Sequence, residues 1–125
     1  MKRYSGLVAV AAAVILSVGT ASAHGDLKPH HGGLVEMAGE VKFELVARGD
    51  GVELYLDDHG ETMPTAKLSG KLTVMSGGAK TDAKLEPAAG DKLLARGVKL
   101  AKGDKVIAIV TMEGKSTSSA RFVIK

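Results

Sequence analysis

The 125-residue sequence predicts an all-β fold, and three observations carry that expectation. Apolar and polar side chains alternate with period two over most of residues 34–125, turn-forming residues recur about every 8–12 positions, and no stretch of that region has helical period. Short strands at this spacing indicate an immunoglobulin-like Greek-key β-sandwich of about seven or eight strands, with a small closed barrel as the rival.

The alternation is clearest in VKFELVAR, residues 41–48, which sets Val41, Phe43, Leu45 and Ala47 on one face and Lys42, Glu44 and Arg48 outward. GVELYLDD, residues 51–58, turns Val52, Leu54 and Leu56 inward. Between them Gly49-Asp50-Gly51, with an Asp-Gly step that favours positive φ, predicts a tight hairpin. Further on, KLTVMS places Leu72 and Val74 on one side, and Gly77-Gly78 turns the chain into AKTDAKLE. Pro87 to Asp91 interrupts the pattern, and KLLARGVKL then supplies one or two short strands. Lys102-Gly103-Asp104 and Glu113-Gly114-Lys115 bound KVIAIVTM, whose near-continuous apolar run suits a central strand, and SSARFVIK closes the chain. With two phenylalanines, Phe43 and Phe122, and neither tryptophan nor cysteine, the core rests on Val, Leu, Ile and Ala without disulfide support.

Upstream lies MKRYSGLVAVAAAVILSVGTASA. Lys2 and Arg3, an apolar run from Leu7 to Val18 and the small-residue exit Ala21-Ser22-Ala23 read as a secretory signal peptide over residues 1–23, cleaved near Ala23. The apolar run, about 12 residues, is shorter than the ~20 a helix needs to cross a bilayer, so an exported, periplasmic chain without a membrane span is expected. Loss of Lys2 and Arg3 from seventeen basic residues leaves fifteen against fourteen acidic ones, a net charge near +1. The remaining lysines are scattered singly and lack aromatic partners, which argues against nucleic acid as a ligand.

A histidine-rich leader, residues 24–33, follows: HGDLKPHHGG holds His24, His30 and His31, three of the four histidines in the chain. The fourth, His59, lies in LDDHGETMP with Asp57, Asp58 and Glu61 close by. Imidazole suits copper and zinc and thioether suits Cu(I), which makes His24, His30, His31 and His59, with Met37 and Met63, the candidate ligands for a copper ion, or for zinc. Cleavage before His24 would set its imidazole beside a free α-amine. Cleavage after Ala21 would place it third, where amine, two amides and imidazole enclose Cu(II) in a square plane. The competing readings are a solvated leader for the first three histidines, a plain turn residue for His59, and core packing for Met75 and Met112. Catalysis is not expected. One acidic turn does not make an opposed pair of carboxylates in a cleft, and neither a Gly-x-Ser-x-Gly elbow nor a phosphate loop is present.

Several of these stretches together carry a resemblance. His31-Gly32-Gly33, Phe43-Glu44-Leu45-Val46, Leu54-Tyr55-Leu56 with Asp58-His59-Gly60 and Pro64, and Ser76-Gly77-Gly78 resemble the recurring elements of small periplasmic proteins and adaptor-appended modules associated with RND-type heavy-metal efflux. The likeness extends more loosely to Arg121-Phe122-Val123. It implies a periplasmic β-sandwich that handles copper, silver, zinc or a related ion, motif support for His31 and His59 as ligands, and RND-type adaptor components as partners. The function expected is thus copper binding, with buffering of the ion or its delivery to an efflux or resistance system. The alternative is an interaction module that binds an efflux adaptor through its sheet edge without metal.

Overall fold

The computed structural model describes residues 27–114 and 116–125; the signal peptide expected over residues 1–23, and His24, lie outside the described residues. Nine strands form, all paired antiparallel, with no helix among the described residues: β1 (Leu34–Ala38), β2 (Val41–Arg48), β3 (Gly51–Asp58), β4 (Glu61–Thr62), β5 (Ser69–Ser76), β6 (Ala79–Ala88), β7 (Lys92–Arg96), β8 (Lys105–Thr111) and β9 (Thr117–Val123). The all-β expectation therefore stands. KLLARGVKL yields a single strand, while β1 and the two-residue β4 bring the total to nine.

The strands follow one path, β1-β2-β3-β7-β6-β5-β8-β9, with β4 attached to β3. Strand β6 makes this continuous: Ala79 to Leu85 pair with β5, and Glu86, Pro87 and Ala88 pair with β7. The ends of the path, β1 and β9, come side by side without a pairing register, so the sheet is nearly closed. Inside lie Phe43, Leu54, Leu56, Leu72, Leu85, Leu93 and Phe122, each at most 2 % exposed. Burying such side chains stabilises the fold by about 1.5–3 kcal/mol each, which is how a chain without disulfides holds together.

The hairpin predicted at residues 49–51 forms, with Arg48 opposite Gly51, but for a different reason. None of its three residues has positive φ. Gly51 is required instead by close approach, since a Cβ there would sit 2.7 Å from the Ala95 carbonyl oxygen on β7. True left-handed turns occur at Gly77-Gly78, with φ of 56° and 91°, and at His59-Gly60, with 52° and 88°, the pattern of type I′ hairpins.

Strand β2 departs most from its expected pattern. Phe43 and Leu45 point inward as predicted, but Lys42, Glu44 and Val46 on the opposite face are also buried, and Ala47 is exposed. A side chain on an outer sheet face is buried only if something covers it, and here the covering segment is the leader. Met75, set in a strand and expected in the core, is 43 % exposed.

A buried hydroxyl anchors the crossover from β4 to β5. Thr65 donates a hydrogen bond of 2.9 Å to the Lys92 carbonyl of β7 and is almost wholly buried. Thr65→Val keeps the shape and removes that donor, so urea unfolding should show a loss of about 1 kcal/mol.

Candidate functional site

The site begins with the way the chain enters β1. Continued as a strand, the leader would run on along β2 past Leu45. Gly32, at φ 74°, turns it instead across the outer face of the sheet. Gly33 makes the crossing tight: a Cβ there would lie 2.3 Å from the Leu45 carbonyl oxygen. Both glycines of His31-Gly32-Gly33 are thus explained by backbone, one by conformation and one by contact.

Glu44 receives the turned leader. Its carboxylate accepts the backbone N–H groups of His30 at 3.0 Å, His31 at 2.7 Å and Gly33 at 2.9 Å, and it also meets His31 Nδ1 at 3.0 Å. Burial pushes the carboxyl up, but the His31 ring and the three N–H donors outweigh it and hold Glu44 below its ordinary value. An ionised carboxylate only accepts, so His31 Nδ1 carries the proton in this contact and, in the neutral ring, Nε2 keeps its lone pair. The ring lies flat on Tyr55, centroids 3.6 Å apart and planes 5° from parallel. Tyr55 is the register partner of Glu44 on β3, so one row of the sheet supplies both the carboxylate and the stacking surface. The neighbouring row joins Met37, Lys42 and Asp57. Lys42 Nζ donates to the Lys28 carbonyl at 3.3 Å and lies 3.7 Å from Asp57, which fixes the leader at a second point.

His59 occupies the first central position of its type I′ turn, where Asn, Asp or Gly is the usual occupant and a histidine is strained. Its Nδ1 lies 2.7 Å from an Asp58 carboxylate oxygen, and Nε2 lies 3.6 Å from Glu40. The side chain is 60 % exposed.

A cleft of about 90 Å³ brings several candidates together: His30, Met37 and His59 line it with Glu40, Lys42, Asp57 and Gly60. A smaller one of about 20 Å³ adjoins it and includes His31, Glu44 and Tyr55, with His30 lining both. Met63 lines neither. It packs partly against the core and borders another cleft with Leu68 and Met112. His24 lies outside the described residues. Among the described residues no three His, Cys, Asp or Glu side chains converge as a ready-made metal site. His30, His31, Met37 and His59 therefore share a corner of the sheet without forming a closed coordination shell. Their donors, imidazole nitrogens and one thioether, are chemically suited to copper.

A second buried acid on this face, Glu53, is bound by Arg48 at 2.7 Å and by Lys92. Burial raises its carboxyl, and the hydrogen bonds from Lys92 and Arg48 bring it below its ordinary value. The Tyr55 hydroxyl lies 3.5 Å from it.

Sequence reasoning missed Glu44 and Tyr55 as parts of the site, because an acid and a tyrosine among outward strand positions look like a solvated face. The available signal was the set of elements that carried the resemblance: His31 and Gly33 from the first, Glu44 from the second and Tyr55 from the third touch one another. The chain matches no known protein-family model, no curated protein and no solved structure.

Proposed function

We propose that this is a periplasmic metal-binding protein, with copper as its principal ion and zinc as a weaker one, which buffers the ion or delivers it to an RND-type efflux or resistance system. The observation that carries this reading is the shared cleft of His30, Met37 and His59, with His31 beside it and its Nδ1 held by Glu44. A carboxylate on the distal nitrogen is the usual outer partner of a metal-binding imidazole; it fixes the tautomer and raises the basicity of the nitrogen left free. His59 has the same feature through Asp58. Copper(II) ranks above the other first-row divalent ions for nitrogen donors, and a thioether adds affinity for Cu(I). His30 and His31 belong to a surface segment held largely by one side chain, so a bound ion would exchange without disturbing the core. The role is one of binding rather than catalysis.

On the fold, the reading keeps a Greek-key unit: β5, β6 and β7 are consecutive neighbours, and β8 returns beside β5, giving the spatial order β8-β5-β6-β7. An immunoglobulin-like sandwich is the finer form of that proposal, with β6 as the strand common to both layers.

Titration of the purified protein with Cu(II), Cu(I) and Zn(II) tests the function. Wild type should bind at least one equivalent of copper, more tightly than zinc. A His30/His31/His59 triple alanine variant should lose that binding, and replacing His24 in addition separates any contribution from the chain start. Copper affinity unchanged in the variant lacking all four histidines would discard the assignment.

A further inference from the structure

The same turn at Gly32 that carries the leader over the sheet face leaves a gap along the sheet edge. Pairing between β1 and β2 stops at Leu34 opposite Leu45, whereas β2 continues to Arg48 and is paired there only with β3. On the far side of the gap β9 ends at Val123, with no register to β1. Beyond it, Ile124 is held by backbone hydrogen bonds with Gly103 and Asp104. A cleft of about 330 Å³ lies between these edges, with Leu34, Val46, Leu100 and Ile124 among its lining residues. Leu34, Leu100 and Ile124 are only partly buried against the core.

From this geometry we infer that the seam between β2 and the end of β9 binds an extended, acidic polypeptide segment by strand addition. Two observations select that occupant. Beyond Leu45 the open edge of β2 offers the main-chain groups of Ala47 in strand geometry, those of Val46 and Arg48 being turned to β3, and an extended chain satisfies them through its own backbone. Among the side chains lining the cleft Arg48 and Lys125 are basic, His31 is an imidazole and none is a carboxylate, although the α-carboxylate of Lys125 offsets part of that charge. Arg48 is held in place by Glu53 and is still 54 % exposed, so it can meet a second carboxylate without first being ordered. Apolar side chains at alternate positions of the incoming segment would cover Leu100 and Ile124, and acidic ones would reach the basic ends. This inference is independent of metal binding.

The test uses a capped hexapeptide of alternating valine and glutamate, titrated into 15N-labelled protein. Saturable amide shifts are expected at residues 45–48 and 120–125, with slowed exchange of the Ala47 amide. Lys125→Gln should weaken binding about threefold, the size of one exposed ion pair, and a valine–lysine peptide should bind more weakly still. Methylating alternate backbone nitrogens of the valine–glutamate peptide should abolish binding, since it removes the main-chain donors. Absence of binding, shifts located elsewhere, or equal binding by the lysine or methylated peptide would overturn the inference. So would concentration-dependent shifts at the seam without peptide, which would identify a second copy of the chain as its occupant.

Discussion

Glu44→Ala is expected to free residues 28–33 from the sheet while the strands stay folded. The carboxylate is the common acceptor for three backbone N–H groups and one imidazole. A hydrogen bond to a charged group contributes about 1.5–3 kcal/mol, and the four share one acceptor, so the loss should come to about 3 kcal/mol rather than their sum. Amide exchange at His30, His31 and Gly33 should rise to near-unprotected rates, whereas Leu54 and Val106 should exchange faster than in wild type yet stay strongly protected. Glu44→Gln should recover only part of the protection, because an amide has one oxygen where the carboxylate has two. Acid should mimic the variant. Glu44 lies below its ordinary value of 4.5 in the fold, so its stabilisation is complete above that pH and disappears as the pH falls through the lower folded value. The amides of His30, His31 and Gly33 should therefore keep their exchange protection at pH 5 and lose it together below 4.5. Protection that persists in Glu44→Ala would mean that Lys42 and its partners alone hold the leader.

Phe43→Ala should be among the costliest truncations in the core, with Phe122→Ala its only aromatic counterpart among the described residues. The Phe43 ring has no exposed surface and sits on β2 directly behind the face that carries Glu44. Truncating a buried phenylalanine to alanine costs about 3–5 kcal/mol, part from lost burial and part from the cavity left behind. Domains of this size are stable by only about 5–15 kcal/mol. The variant should melt at least about 12 °C lower in calorimetry, since each kcal/mol shifts such a domain by about 4–8 °C. A shift under a few degrees would show that the neighbouring side chains collapse into the space, contrary to a close-packed core.

The inner side of this fold was legible in the sequence because burial there follows parity alone. Phe43, Leu54, Leu56, Leu72 and Phe122 all face inward as the alternation requires. What parity cannot report is a second covering on the outer face, because that depends on where a loop goes rather than on the strand itself. The burial of Glu44, Lys42 and Val46 was hidden for this reason, although the glycines that steer the covering loop were in view. The hairpin at residues 49–51 shows a related limit: its position could be read locally, but the need for Gly51 comes from β7, more than forty positions along the chain. For the candidate site, the gathering of His30, Met37 and His59 was expected in outline, since the first lies just before β1, the second near its end and the third just after β3. Met63 was grouped with them by closeness in sequence, and the turn from β4 toward β5 carries it to another side.

Strand β6 belongs at one end to the run of β5, β8 and β9 and at the other to that of β7, β3, β2 and β1. Neither half can melt away intact, because each would have to tear a strand it shares with the other. The molecule resembles a split ring, and thermal opening has one inexpensive place to start, the gap where β1 and β9 meet without hydrogen bonds. A covalent clip or a tightly held strand across that gap would slow unfolding more than an equal gain in contacts elsewhere.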